Sequence, residues 1–133
     1  MKIISGKIQG GYKAATPNLH WQMPYFLQYI PELANCHKGT INVKLEESIR
    51  NVPYDCETEP IEWYPGRPDI KEVFRFTKIG FEIIGLNDRH PTEAWIYDPL
   101  NSPNRADPFL VEVLTHKLDF GELRLCKVHL HKL

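Results

Sequence analysis

Thr40-Ile41-Asn42-Val43-Lys44-Leu45 is the stretch that decides the fold. Its polar and apolar residues alternate strictly, which is typical of a strand with one buried face. The alternation predicts that the three apolar side chains point into a core. The three polar ones, Thr40, Asn42 and Lys44, are expected to face an open cleft, about 7 Å apart along the strand.

The rest of the chain repeats this strand signal. Further short segments of alternating or β-branched residues are Met1–Ile8, Val73–Thr77, Gly80–Leu86, Glu93–Tyr97, Phe109–Leu114 and Leu123–Leu130. The turn-forming residues Asn87-Asp88-Arg89-His90-Pro91 predict a hairpin between two of them. So many short strands in 133 residues indicate a mainly β fold, a barrel or a sandwich.

Two segments depart from this pattern. Trp21–Leu33 carries apolar residues three and four apart, with Pro24 suited to a first helical turn and Pro31 to an end. It predicts a short helix that covers one end of a barrel. Arg50–Ile70 has several prolines and no clean period, so it is either functional or an irregular excursion.

Composition limits the classes of function. The 133 residues include 16 basic and 17 acidic side chains, a balance that argues against binding nucleic acid through bulk charge. No apolar run approaches the roughly 18–20 residues of a membrane span. Three widely spaced cysteines form no CxxC pair, so we expect free thiols. We therefore expect one soluble, cytoplasmic domain over residues 1–133, without membrane or nucleic-acid partners.

Two segments are candidates for a binding site. The hydroxyl of Thr40 and the amide oxygen of Asn42 are hard neutral ligands, suited to a Mg²⁺ ion that substrate phosphates also hold. The three glycines within Ser5–Tyr12 allow main-chain N–H groups to approach an anion. Each segment also has a plainer interpretation, as the solvent face of a strand and as a glycine-rich turn.

Taken together, the two segments resemble the CTP-dependent riboflavin kinases of the archaeal type. The first match is Ser-Gly-x-x-Gln-Gly-x-Tyr at Ser5–Tyr12, and the second is Gly-Thr-Ile-Asn-Val-Lys-Leu at Gly39–Leu45. The likeness continues in the late strands, at Ala94-Trp95-Ile96 and at Glu112. It spans nearly the whole chain, but only the Gly39–Leu45 run is specific.

The resemblance implies a six-stranded cradle-loop barrel that transfers the γ-phosphate of CTP to riboflavin and makes FMN. Mg²⁺ would be held by Thr40 and Asn42, and Asn104 and Glu112 stand where the family contacts the flavin. Glu112 would orient or deprotonate the acceptor hydroxyl. The nucleotide would be wrapped by Gly6, Lys7, Ile8, Gln9, Gly10 and Gly11.

The chain departs from the family at the ligand site. It has Ile8 where the family usually has glycine, Gln9 in place of glutamate, Asn104 in place of a threonine and Phe120 in place of an arginine. These changes predict weak nucleotide affinity. Three hypotheses stay open: a phosphotransferase, a barrel that binds a flavin or nucleotide without catalysis, and an interaction module that uses Arg50–Ile70.

Overall fold

The computed structural model of the chain describes residues 1–12, 16–86 and 91–131. Turns of 3-10 helix lie at Pro31–Asn35 and Pro103–Ala106. No helix in these ranges is long and apolar enough to cross a lipid bilayer. The helix and strands are β1 (Lys2–Tyr12), α1 (Thr16–Phe26), β2 (Ile41–Leu45), β3 (Cys56–Glu57), β4 (Phe74–Ile83), β5 (Thr92–Pro99), β6 (Leu110–Leu114) and β7 (Leu125–Leu130).

Six strands close into an antiparallel barrel. They pair in the order β4-β5-β6-β2-β1-β7, and β7 pairs with β4 to complete the ring. β3 lies outside the ring and pairs with the first part of β4, where Cys56 is opposite Phe76. The predicted mainly β fold, a six-stranded barrel with a short helix, is confirmed.

Apolar side chains from all six strands fill the barrel interior. Ile41, Val43 and Leu45 are 0, 0 and 3% exposed, which confirms the predicted inner face of β2. Burying each such side chain stabilises the fold by about 1.5–3 kcal/mol. Other interior residues are Ile4, Ile8, Ile79, Phe81, Ile83, Ala94, Ile96, Val111, Val113, Phe120, Cys126, Val128 and Leu130.

A second apolar layer covers the outer face of β4, β5 and β6. Phe26 of α1 meets the rings of Phe74 and Phe76 edge-on, with centroids 4.8 and 4.9 Å apart. Both faces of these strands are apolar, so the helix covers the side of the barrel and not one of its ends. The layer also contains Leu19, Met23, Ile30, Leu33, Ile61, Trp63, Trp95, Tyr97 and Leu114.

The predicted helix bounds are wrong. Helix α1 begins at Thr16, where Pro17 occupies the first turn and its missing N–H costs no helical hydrogen bond. Pro24 lies in the last turn instead, where its missing N–H removes one bond of the ladder, and the helix ends two residues later, at Phe26. Pro31 begins a separate 3-10 turn.

The segments Val73–Thr77 and Gly80–Leu86 belong to one strand, β4, and not to two. A Cβ at Gly80 would lie 3.0 Å from the Cβ of Pro91 and 3.3 Å from that of His129. Glycine at position 80 lets Pro91 and His129 lie close to the backbone of β4, and the strand continues through it. Residues 87–90 of the predicted turn lie outside the described residues, but β4 and β5 pair as the hairpin requires.

The Arg50–Ile70 segment packs against the barrel. Ile61 and Trp63 are buried in the outer layer. The main chains of Ile61 and Glu72 exchange hydrogen bonds of 2.9 and 3.1 Å. The segment therefore forms a wall beside α1.

Candidate functional site

A row of polar side chains crosses the outer face of the barrel. Asn42 on β2 lies opposite Glu112 on β6, and Glu112 lies opposite Tyr97 on β5. Their strand neighbours fill the interior. Since side chains of a strand alternate between its faces, these three residues lie on the outer face.

Glu112 is the centre of this row. Thr40 Oγ1 donates to Glu112 Oε1 at 3.1 Å, and the side chain of Asn104 donates to the same carboxylate. Burial raises the pKa of Glu112 above its usual value, although these two hydrogen bonds oppose the shift. A partly buried carboxyl group with a raised pKa is suited to accepting a proton near neutral pH.

The polar face of β2 is not the open row that the sequence predicts. Thr40 is 0% exposed. Its hydroxyl can be buried because it donates to Glu112 and does not require water as a hydrogen-bond partner. Asn42 is half-buried, and Lys44 is exposed but paired with Asp107. Only Asn42 and Thr40 therefore belong to the neighbourhood of Glu112.

Asn42 carries the one buried side-chain oxygen or nitrogen that lacks a hydrogen-bond partner in the described part of the chain, its Oδ1. Such orphaned atoms are rare in folded proteins, and each calls for an explanation. An amide oxygen with a free lone pair is a ligand type that Mg²⁺ accepts. The oxygen of Asn42 is therefore a candidate ligand for a divalent cation such as Mg²⁺.

A pocket of about 270 Å³ opens beside Glu112. Small-molecule sites usually occupy about 300–1,000 Å³, so this pocket suits a small ring system or one end of a larger ligand. α1, the Trp63–Glu72 segment, β5, β6 and the loop after β5 contribute to it. Its lining residues are Asn18, Gln22, Trp63, Glu72, Tyr97, Pro99, Asn101, Ser102, Pro103, Asn104 and Glu112.

Two buried hydrogen-bonded pairs form a wall of the pocket. Tyr97 Oη donates to Gln22 Oε1 at 2.6 Å, and Trp63 Nε1 donates to Glu72 Oε1 at 3.1 Å. Burial raises the pKa of Glu72, against hydrogen bonds from Trp63 and from the main chain of Asn101. The pocket is thus lined by two carboxyl groups, those of Glu72 and Glu112, whose pKa values are raised by burial.

Sequence reasoning missed Gln22, Trp63, Glu72 and Tyr97 as site residues. A signal existed for Gln22, because it lies three residues after Leu19 and four before Phe26, within an apolar helical stripe. A polar residue in such a stripe needs a buried partner. The other three are brought together by contacts between distant segments.

Most of the predicted nucleotide segment is an ordinary part of β1. Gly6 pairs with Leu45 on one side and with Cys126 on the other. The N–H of Ile8 donates to the carbonyl of Arg124 at 2.7 Å, and the Ile8 side chain fills the interior. Lys7 is exposed. This part of the segment does not form a loop around a ligand.

Gly6 is required by packing. A Cβ at this position would lie 2.8 Å from Val43 Cγ1 and 3.1 Å from the carbonyl oxygen of Lys44. Both distances are shorter than ordinary contacts, and the backbone oxygen cannot move aside easily. The glycine therefore permits β1 and β2 to approach inside the barrel.

The end of the same segment lies opposite Asn42 in the sheet. The register changes between Ile8, opposite Val43, and Tyr12, opposite Ile41. Residues 9–11 therefore bulge opposite Asn42, and Gly10 has a φ of 75°, which favours glycine. Gln9 and Gly10 of this bulge are exposed.

Other metal and thiol chemistry has little support. Within residues 1–12, 16–86 and 91–131, no group of three or more His, Cys, Asp and Glu side chains could hold a metal ion. Cys36, Cys56 and Cys126 are free. Burial raises the pKa of Cys36 to about 11 and that of Cys126 to about 12, so neither is a reactive thiolate.

A scan against known protein-family models finds no match to the chain, and a search of curated proteins finds no significant one.

Proposed function

We propose that the protein is a Mg²⁺-dependent phosphotransferase of the riboflavin kinase type, with CTP as donor and riboflavin or a related small alcohol as acceptor. The observation that carries the proposal is one convergence on the outer face of the barrel. Thr40 and Asn42, Asn104, and Glu112 come from three separate segments of the sequence and meet next to a pocket that Asn104 and Glu112 line, and a glycine bulge lies opposite Asn42.

Asn42 and Thr40 are the residues that would hold Mg²⁺. The orphaned Asn42 Oδ1 supports this role, because an ion would supply the partner that the oxygen lacks. The Thr40 hydroxyl donates its O–H to Glu112, and that bond leaves its oxygen lone pairs for a cation. A bound Mg²⁺ would neutralise charge on the donor phosphates.

Glu112 and the pocket would hold the acceptor. The raised pKa of Glu112 suits a group that takes a proton from a hydroxyl as it attacks. Asn104 donates to this carboxylate and keeps it oriented, and Trp63 offers an aromatic wall. The protein's contribution to phosphoryl transfer would then be mainly the positioning of two substrates.

The binding site for the phosphate donor would be smaller than in the CTP-dependent riboflavin kinases. Only the bulge at residues 9–11 lies opposite Asn42, and Phe120, which replaces an arginine, packs in the interior. The expected nucleotide affinity is accordingly weak. The same observation favours a second candidate function, flavin binding without phosphoryl transfer.

An assay of product formation tests the proposal. Purified protein is incubated with riboflavin, Mg²⁺ and each nucleoside triphosphate, and FMN is separated by chromatography. We expect FMN with CTP and Mg²⁺, and a loss of at least about 100-fold in Asn42→Ala, since removal of one charge-stabilising group commonly costs this much. Asn35→Ala, a change at an exposed asparagine, is the matched control.

Absence of FMN with every triphosphate would overturn the proposal. A melting experiment then addresses the second candidate, because riboflavin at a hundredfold excess over its Kd adds about 2.7 kcal/mol of stability. Stabilisation by riboflavin without turnover would establish a binding protein. If neither riboflavin nor CTP with Mg²⁺ stabilised the protein, the remaining hypothesis would be the interaction module that uses Arg50–Ile70.

A further inference from the structure

Three arginines surround one mouth of the barrel. Arg50, Arg75 and Arg105 line a cleft of about 70 Å³ where β4 begins and β5 ends. A water molecule takes about 30 Å³ of liquid, so the cleft has room for about two waters or one tetrahedral oxyanion group. Its other lining residues are Ile49, Val52, Tyr54, Thr77, Ile96, Asp98, Pro108 and Val111.

Positive charge exceeds negative charge among the residues that line this cleft. Asp98 is the single carboxylate among them, and Arg105 binds it through two hydrogen bonds of 2.8 and 3.3 Å. Arg75 pairs at 2.7 Å with Glu57, which is not among the lining residues. Among the described residues, Arg50 donates to main-chain carbonyls, those of Arg105 and Asp107.

The guanidinium groups keep donors for a ligand and are held in place. Arg75 uses its Nε for Glu57, which leaves its terminal N–H groups without a hydrogen bond in the described part of the chain. Its guanidinium carbon lies 4.6 Å from the centre of the Tyr54 ring, a cation–π contact that fixes its position. Arginines arranged in this way match the geometry of phosphate and carboxylate groups.

We propose that this mouth of the barrel is a binding site for a small oxyanion, a phosphate or carboxylate group. The site is separate from the phosphotransfer site and does not depend on it. Asp98 and Val111 line the cleft, whereas their neighbours Tyr97 and Glu112 line the pocket on the opposite face of the same strands.

Calorimetric titration with inorganic phosphate at constant ionic strength tests the proposal, with succinate as the carboxylate arm. We expect saturable binding of at least one anion, weakened about 10- to 100-fold by Arg50→Gln, the usual cost of one charged hydrogen bond. Arg67→Gln is the matched control, because Arg67 is an exposed arginine that pairs with Asp69. Its affinity should equal that of the unchanged protein.

Amide chemical shifts give a second readout that does not depend on variants. Bound anion should move the signals of residues 49–54 and 105–108 and leave those of the Asn42 region in place. No saturable binding of either anion would overturn the proposal. Equal weakening by Arg50→Gln and Arg67→Gln would also overturn it, since net charge alone would then explain the affinity.

Discussion

Glu112 is a residue whose surroundings set its proton affinity. Its carboxyl group is largely removed from solvent beside Thr40 and Asn104, and burial raises its pKa. At a pH below the unfolded-state value of about 4.3, the group is protonated in both states. As the pH rises from there through the folded-state pKa, ionisation favours the unfolded chain, so this group progressively lowers stability.

Replacement of Glu112 by glutamine tests the direction of this pH dependence of stability. In Glu112→Gln the group cannot ionise, so the free energy of unfolding should rise relative to the unchanged protein as the pH increases from about 4 to 7. Urea denaturation across this range measures the difference. Glu46→Gln, at an exposed carboxylate, is the control and should show a flatter difference. A difference that falls with increasing pH would contradict the buried environment of Glu112.

Gly6 gives a second prediction at the residue scale. Gly6→Ala places a methyl group 2.8 Å from Val43 Cγ1, so we expect a loss of about 1–3 kcal/mol in the free energy of unfolding. Ser5→Ala, one residue earlier, is the control. If Gly6→Ala kept full stability and lost nucleotide binding instead, the position would belong to a ligand loop and not to the core.

At the scale of elements, α1 acts as one side of the pocket. It contributes Gln22 to the polar wall and Phe26 to the apolar layer beneath. Its attachment to the barrel therefore determines both local stability and the shape of the site.

Truncation of Phe26 should detach the helix. Phe26→Ala removes a fully buried ring that contacts Phe74 and Phe76, and we expect a loss of about 3–5 kcal/mol in the free energy of unfolding. Trp21→Ala, at a residue of the same helix that is 51% exposed, should cost less than about 1 kcal/mol. Denaturation followed by circular dichroism measures both. Equal losses would show that helix packing is not centred on Phe26.

The local residue pattern predicts some elements of this structure and not others. The inner face of β2 was predictable because period-two alternation has one geometric solution. The start of α1 was not found because Thr16-Pro17 lies outside its apolar repeat. The positions of Trp63 and Glu72 in the pocket wall could not be predicted from local sequence. These residues reach the pocket beside Glu112 only through the pairing of distant strands and the packing of the Arg50–Ile70 segment against the barrel.

At the scale of the whole molecule, the ring of six strands and the layer outside it differ in how they are held. Each strand of the ring pairs with neighbours on both sides. β3 pairs with β4 alone and through two residues. The ring should therefore open as one cooperative unit, and β3 should open before it.

Native-state hydrogen exchange measures this order. We expect the amides of β1, β4 and β7 to exchange only through global unfolding, and those of the segment around β3 to exchange through a smaller opening with weaker denaturant dependence. The central amides of β2 serve as an internal reference within the ring. Slower exchange around β3 than in β7 would contradict the hierarchy.

The alternation of inner and outer residues along β2, β5 and β6 also bears on how this protein can change through evolution. Inner positions such as Val43 and Val111 maintain the barrel, whereas the outer position Glu112 lines the pocket and the outer position Asn42 lies opposite it. Outer positions that the second apolar layer does not cover can change at smaller cost in stability than inner ones. A lineage can thus acquire a new ligand specificity at a few outer positions of these strands while it inherits the barrel unchanged.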